Sequence, residues 1–306
     1  MNFHGLFITV YCVLCIESSK LDKENHIIRD IMSGIAPLLN AETKSITTDV
    51  KYDKLMRPHG EIGIDRNIDS NGALYINLVL SLTRFIDFVE KYQTINTNSY
   101  LYVSWIDPRL SWDPFNKSSE YYGVTKINVP SELFWTPDLF VTNMHEGNSF
   151  IEIVPGTRLL VTNNGTNYLC VYLSHMKTNC FLDLHHYPFD NQYCAIKIGS
   201  WQNDIHSFKF EFNNDSFILD ELEHNPEWIV VEHSIEANRN SIRFMQINSQ
   251  PDNPFHLYSE DVSFKIKLKR LPLYRMVNDI LPCFVLNSIL LLTFFLPFTI
   301  QIQICN

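Results

Sequence analysis

Positive charge is scarce in this chain: 24 lysines and arginines stand against 34 aspartates and glutamates, a formal net charge of −10 over 306 residues. No nucleic-acid partner is expected, because such a protein needs a basic face to displace the counterions around phosphates. Acidity itself mainly keeps a surface solvated and is weak support for a cationic ligand. The sequence also lacks a P-loop, a nucleophile elbow, a zinc motif and a glycine-rich dinucleotide loop, so no enzyme class and no cofactor is indicated. It has no internal repeat and no low-complexity tract. The adjacent His185-His186, read as part of a strand, would point to opposite faces and make a poor metal pair, so no metal site is expected.

Long apolar runs are few. The opening run from Met1 to Ile16 is too short to span a bilayer, and Glu17-Ser18-Ser19 follows it. It reads as a secretory leader over residues 1–19, although its first residues carry His4 and neither lysine nor arginine. Within such a leader, Cys12-Val-Leu-Cys15 is not a redox motif. The second run, Ile280 to Phe298, has 19 residues without a formal charge. As a helix it reaches about 28 Å, close to the hydrocarbon thickness of a bilayer. It is apolar on all faces, unlike a core helix with one polar side. Lys265, Lys267, Lys269, Arg270 and Arg275 precede it; on an exported chain they would lie outside, against the positive-inside tendency.

What lies between is rich enough in apolar residues, 45% over the whole chain, to fill a substantial core. Leu74, Ile76, Leu78, Leu80 and Leu82 alternate with other residues, as do Val262, Phe264, Ile266 and Leu268. A period of two gives each strand one core face and one wet face. Turn signals recur at Asn71-Gly72, Pro155-Gly156 and Asn163-Asn164-Gly165. The pattern predicts a mainly β domain, a β-sandwich and not a βαβ fold. Ahead of it, residues 21–39 read as a helix with Ile27, Ile28, Ile31 and Ile35 on one face. Export agrees with three glycosylation sequons, at Asn116, Asn164 and Asn214. Cys170 reads as a lone buried thiol, and Cys283 falls in the apolar helix.

One segment decides the family. Cys180-Phe-Leu-Asp-Leu-His-His-Tyr-Pro-Phe-Asp-Asn-Gln-Tyr-Cys194 sets two cysteines with thirteen residues between them. In an oxidising compartment they can close a loop and stabilise the fold by about 3 kcal/mol. Taken alone, an ordinary stapled hairpin would account for such a pair. The segment resembles the signature loop of the Cys-loop, pentameric neurotransmitter-gated ion channels, including its aromatic-Pro-x-Asp core. Further stretches resemble the family in the expected order: Tyr52-Asp-Lys-Leu-Met-Arg-Pro58, Trp105-Ile-Asp-Pro-Arg-Leu-Ser-Trp-Asp-Pro114 and Pro130-Ser-Glu-Leu-Phe-Trp-Thr-Pro-Asp138. Gly199-Ser-Trp201, Arg270-Leu-Pro-Leu-Tyr-Arg-Met-Val-Asn278 and Leu281-Pro-Cys283 complete the series. The loop tip Tyr187-Pro188-Phe189-Asp190, and the lack of a second cysteine pair before the helix, resemble the cation-channel, nicotinic acetylcholine branch.

The resemblance implies an extracellular, immunoglobulin-like β-sandwich over residues 20–272 with an N-terminal helix. A first transmembrane helix over 273–298 and a short tail over 299–306 follow. It implies a plasma-membrane, postsynaptic setting, a homo- or hetero-pentamer of homologous subunits in a lipid bilayer, and a small amine-type ligand between subunits. In that family the ligand sits in an aromatic cage, whose ring faces each attract an ammonium by about 0.5–2 kcal/mol. Carried over by motif, Trp201 takes the principal-face position and Tyr100 the complementary one. Tyr258 and Phe244 belong to the flap that closes over the ligand. Thr142 stands where acetylcholine-binding subunits carry tyrosine, and Arg243 to Asn248 stands where they carry a tyrosine and a vicinal cysteine pair. The same resemblance pairs Arg270 with Glu90 and Asp190, beside Pro188 and Phe189, as the link between ligand closure and the membrane helix. A channel of this family needs three further helices, and the chain as written stops before a pore. A tethered or secreted binding module, or an accessory subunit that alters assembly of complete receptors, is the alternative.

Overall fold

The computed structural model describes residues 22–32, 52–58, 73–115, 121–246 and 255–295, with the backbone alone at 240–246 and 255–258. Asn116, the turn at Asn71-Gly72, Ile35 and the leader lie outside these ranges.

Helix α1 covers residues 22–32. Its apolar spacing puts Ile27 and Ile31 into the core, with Ile28 packed beside them. Tyr121 donates to Asp30 at 2.5 Å and ties the helix to the strands below. Among the described residues, eleven strands then follow. They are β1 (Leu74–Val89), β2 (Thr94–Ser111), β3 (Lys126–Pro130), β4 (Phe140–Val141), β5 (Arg158–Thr162), β6 (Asn164–Asn179), β7 (Asn191–Gly199), β8 (Phe208–Glu211), β9 (Phe217–Ile218), β10 (Trp228–Gln246) and β11 (Phe255–Arg270).

They form two sheets. The larger runs β3-β5-β6-β2-β1-β8, with β9 also on β1; the smaller runs β10-β11-β7-β4. Alternation explains why the sheets face each other. Leu74, Ile76, Leu78, Leu80 and Leu82 are fully buried on one side of β1, and Val262, Phe264, Ile266 and Leu268 on one side of β11. All belong to one core, and Phe217 of the large sheet meets Phe264 of the small one at 5.4 Å.

Two corrections to the sequence reading come from the same alternation and from the loop. Cys170 is exposed, because its neighbours Leu169 and Val171 take the core face of β6. His185 and His186 lie in a turn and not on a strand, with ring centroids 4.6 Å apart.

A disulfide joins Cys180, just after β6, to Cys194 in β7 and so staples the two sheets. The loop it closes is braced by Gln192, which accepts from the Asp183 amide at 2.9 Å and donates to the Asp183 carbonyl at 2.7 Å. After β11 the chain enters helix α2 (Pro272–Thr293), 22 residues long and apolar enough to cross a membrane. Its second turn, Met276–Ile280, is π-helical.

Candidate functional site

Two places in the sandwich gather the residues singled out above. The first lies where the strands meet α2. Arg270 closes β11 with its side chain 0% exposed, a position that a guanidinium occupies only when its donors are satisfied. Its Nε donates to Asp190 Oδ1 at 2.8 Å and its Nη2 to Asp190 Oδ2 at 3.2 Å, a two-pronged carboxylate contact from the stapled loop. Nη1 lies 2.9 Å from Glu90 Oε1, an ion pair without hydrogen-bond alignment, and donates to Glu227 Oε1 at 3.0 Å. The guanidinium stands 4.2 Å over the Trp228 ring and 5.1 Å from that of Tyr187.

Local structure puts each acid there. Glu90 opens the short turn Glu90–Tyr92 that joins β1 to β2. Asp190 follows Phe189 at the end of the stapled loop, and its backbone carbonyl also accepts from the Arg270 amide at 3.2 Å. Burial alone would raise the Asp190 pKa. Hydrogen bonds from Arg270 and Gln192, with the charge of Arg270, outweigh this and hold it below the ordinary carboxylate range. Pro188 follows a cis peptide, and Phe189 is 64% exposed at the tip of the loop.

The second place is aromatic and has two halves. Trp201 follows β7 and is 50% exposed, edge-on to Phe140 at 5.4 Å and to Phe150 at 6.4 Å. Its loop is fixed by Asp138, whose carboxylate accepts from Ser200 Oγ at 3.0 Å, from the Gln202 amide at 2.9 Å and from Asn203 Nδ2. Thr142 follows β4 and is held to β7 by its amide, which donates to the Lys197 carbonyl at 2.8 Å. The other half lies on the outward face of the large sheet. There Tyr100 is exposed, 4.9 Å from Tyr172 and 6.3 Å from Tyr102. Partial burial, with the nearby thiol and acid, raises the Tyr102 pKa. Phe150 and Tyr172 line one cleft of about 260 Å³. Phe244 and Tyr258 lie on facing strands of the β10–β11 hairpin, one register position apart.

Sequence reasoning therefore named Arg270, Glu90 and Asp190, which the fold brings together, and Trp201 and Tyr100, which it keeps apart, one in the loop after β7 and the other on β2. It gave no role to Glu227, Asp138, Phe140, Phe150, Tyr102 or Tyr172. Asp138 had a signal, since it ends the quoted Trp135-Thr-Pro-Asp138 stretch. So did Tyr168, Cys170 and Tyr172, which alternate along β6. Glu227 had none, because its role depends on register: Trp228 pairs with Arg270 across the hairpin.

Known proteins give the arrangement a context. Residues 41–272 match the model of the neurotransmitter-gated ion-channel ligand binding domain. The neuronal acetylcholine receptor subunit beta-4 of Gallus gallus is 29% identical over 250 residues, covering 81% of this chain and 47% of the relative. An acetylcholine receptor subunit alpha-like of Manduca sexta is 29% identical over 274 residues, covering 84% and 47%. The neuronal acetylcholine receptor subunit alpha-2 of Rattus norvegicus is 30% identical over 229 residues, covering 75% and 42%. The chain thus spans about half the length of the curated relatives it matches.

Proposed function

Because this chain belongs to the neurotransmitter-gated ion channels through its ligand-binding domain, we propose that it is a subunit of a ligand-gated channel of the cation-selecting branch. In this reading it stands in the plasma membrane with the sandwich outside and α2 as the first span, and pairs with homologous subunits in a pentamer. Residues 1–19 act as leader, 20–272 as the extracellular domain and 273–298 as the membrane helix. Asn116, Asn164 and Asn214 carry glycans.

The buried Arg270 carries the reading. Both strands of the flap hairpin end at one charged cluster: β11 at Arg270, and β10 beside Glu227. The same cluster holds the stapled loop and the β1–β2 turn, and α2 begins two residues further on. A pull on the hairpin at its far end is therefore delivered at the entry to the membrane helix. The cation at that join is fully buried, and removal of one partner costs about 3–5 kcal/mol, so the elements meeting there are held as one unit.

For the ligand, the tyrosine group at Tyr100 offers ring faces to a quaternary or protonated amine. Thr142, and the absence of a vicinal cysteine pair in the flap, favour use of this face as the complementary half of a mixed site. The test is acetylcholine binding by the chain assembled alone and by the chain co-assembled with an alpha-type subunit. Binding confined to the mixed assembly, weakened about tenfold by Tyr100→Ala, is expected. Tight binding by the homomer would contradict the complementary assignment.

A further inference from the structure

The charged cluster does not end at Arg270. Arg275, in the first turn of α2, donates from Nε to Glu227 Oε1 at 2.7 Å, a closer approach than Arg270 makes to the same oxygen at 3.0 Å. Its Nη2 lies 3.5 Å from Glu90 Oε1 and its Nη1 3.5 Å from Asp279 Oδ2. Tyr187 of the stapled loop donates to Asp279 Oδ2 at 3.4 Å. We propose that Arg275, held by Glu227, is a positioning residue that fixes the rotation of α2 about its own axis and ties the helix directly to the foot of β10. The tie acts beside the Arg270 link and serves the gating proposed above, on which it rests.

Three observations carry this. Arg275 and Asp279 are four residues apart, hence on one face of the helix, and that face is turned to Glu227 and Tyr187. Two contacts one turn apart define a rotation, which a single contact does not. Among the described residues, α2 has no buried side chain. The contacts between α2 and the sandwich are therefore these charges and not buried apolar packing.

The backbone near Glu227 is itself held firmly. Asn225 Oδ1 accepts from the Glu227 and Trp228 amides at 2.8 and 3.0 Å, and Asn225 Nδ2 donates to the Phe85 carbonyl at 3.1 Å. The Glu227 carbonyl accepts from the Leu271 amide at 2.7 Å. Glu227 thus moves with the strand that runs to the flap, and Arg275 moves with the helix. The charge balance points the same way. Two guanidiniums, Arg270 and Arg275, face four carboxylates, Glu90, Asp190, Glu227 and Asp279. Neutralising Arg275 leaves Glu227 and Glu90 with Arg270 alone, which is already committed to Asp190, and leaves Asp279 with only the Tyr187 hydroxyl.

Cys283, exposed on α2 two turns beyond Arg275, and Cys170, exposed on β6, report the rotation without requiring a pore. The full chain, with Cys12, Cys15 and Cys305 changed to serine, is spin-labelled at both positions in lipid nanodiscs, and the distance between the labels is followed by pulsed electron resonance. Arg275→Gln is expected to shift that distance by about 3 Å or more, Arg275→Lys to return it toward the wild-type value, and Arg275→Gln to add little in a Glu227→Gln background. In the assembled receptor, Arg275→Gln shifts half-maximal activation about tenfold and far less in the Glu227→Gln background, with ligand affinity of the closed state unchanged. An unchanged label distance, or an effect of Arg275→Gln as large without Glu227 as with it, overturns the inference. A distance that shifts and depends on Glu227, in a receptor that no ligand opens, leaves Arg275 as the rotational tie and refutes the ligand-gated reading instead.

Discussion

Single residues in this chain are held by short polar contacts whose removal has a calculable direction. Gly165, the second residue of β6, has a φ of +82°, and a Cβ there would come within 2.4 Å of the Asp107 carbonyl. Gly165→Ala should destabilise the chain by about 2 kcal/mol or more, read as a fall in the denaturant midpoint, because both the backbone region and the space are wrong for a side chain. Asp190 makes a pH prediction. Its folded pKa is depressed, so the stability it contributes is complete above the ordinary aspartate value, about 3.9. That stability is lost as pH falls through the lower folded value. Asp190→Asn should lower unfolding stability by about 3 kcal/mol at neutral pH and remove this part of the acid sensitivity, both measurable by denaturation at stepped pH. If the variant kept the wild-type acid profile, Asp190 would not carry a depressed pKa in the folded chain.

Elements were legible wherever alternation was clean and one face was dry. The run Leu74 to Leu82 and the run Val262 to Leu268 each name a core face, and both are buried as read. Residues 22–32 are helical, with Ile27 and Ile31 inward, because a period near 3.6 is as plain as a period of two. Cys170 was misread because cysteine is so often buried that residue type outweighed position; the parity of β6 gives the right answer once Leu169 and Val171 are assigned inward. The His185-His186 pair was misread because Leu182 and Leu184 suggest a strand, whereas the loop turns over residues 185–188. At this scale the disulfide matters most. Cys180→Ser should destabilise the sandwich by about 2–5 kcal/mol, seen as a lower thermal midpoint. It should also loosen the loop that presents Asp190, so hydrogen exchange at Asp183 and Tyr187 should rise more than in β1. Equal loss of protection in both would mean that the staple acts on the whole fold and not on the loop.

For the whole molecule, motif order identified the family, yet the composition of its sites came from topology. Trp201 and Tyr100 are visible in sequence as positions in motifs. Of their ring partners, Tyr102 is two residues along β2 from Tyr100, but Phe140, Phe150 and Tyr172 lie 51 to 72 residues away in the chain and are brought near only by the fold. Glu227 and Arg275 likewise gain meaning only when β10, β11 and α2 end at one point. In the proposed reading, closure of the hairpin over a ligand becomes movement of the membrane helix at that point. Arg270→Gln in the assembled receptor, with ligand binding and ligand-evoked current measured on the same cells, tests this coupling. Binding retained within about threefold while current is lost, or needs about a hundredfold more ligand, is the predicted result; a buried ion cluster broken on one side disables coupling and leaves the distant aromatic groups in place. Wild-type current from the variant at wild-type surface expression would contradict it.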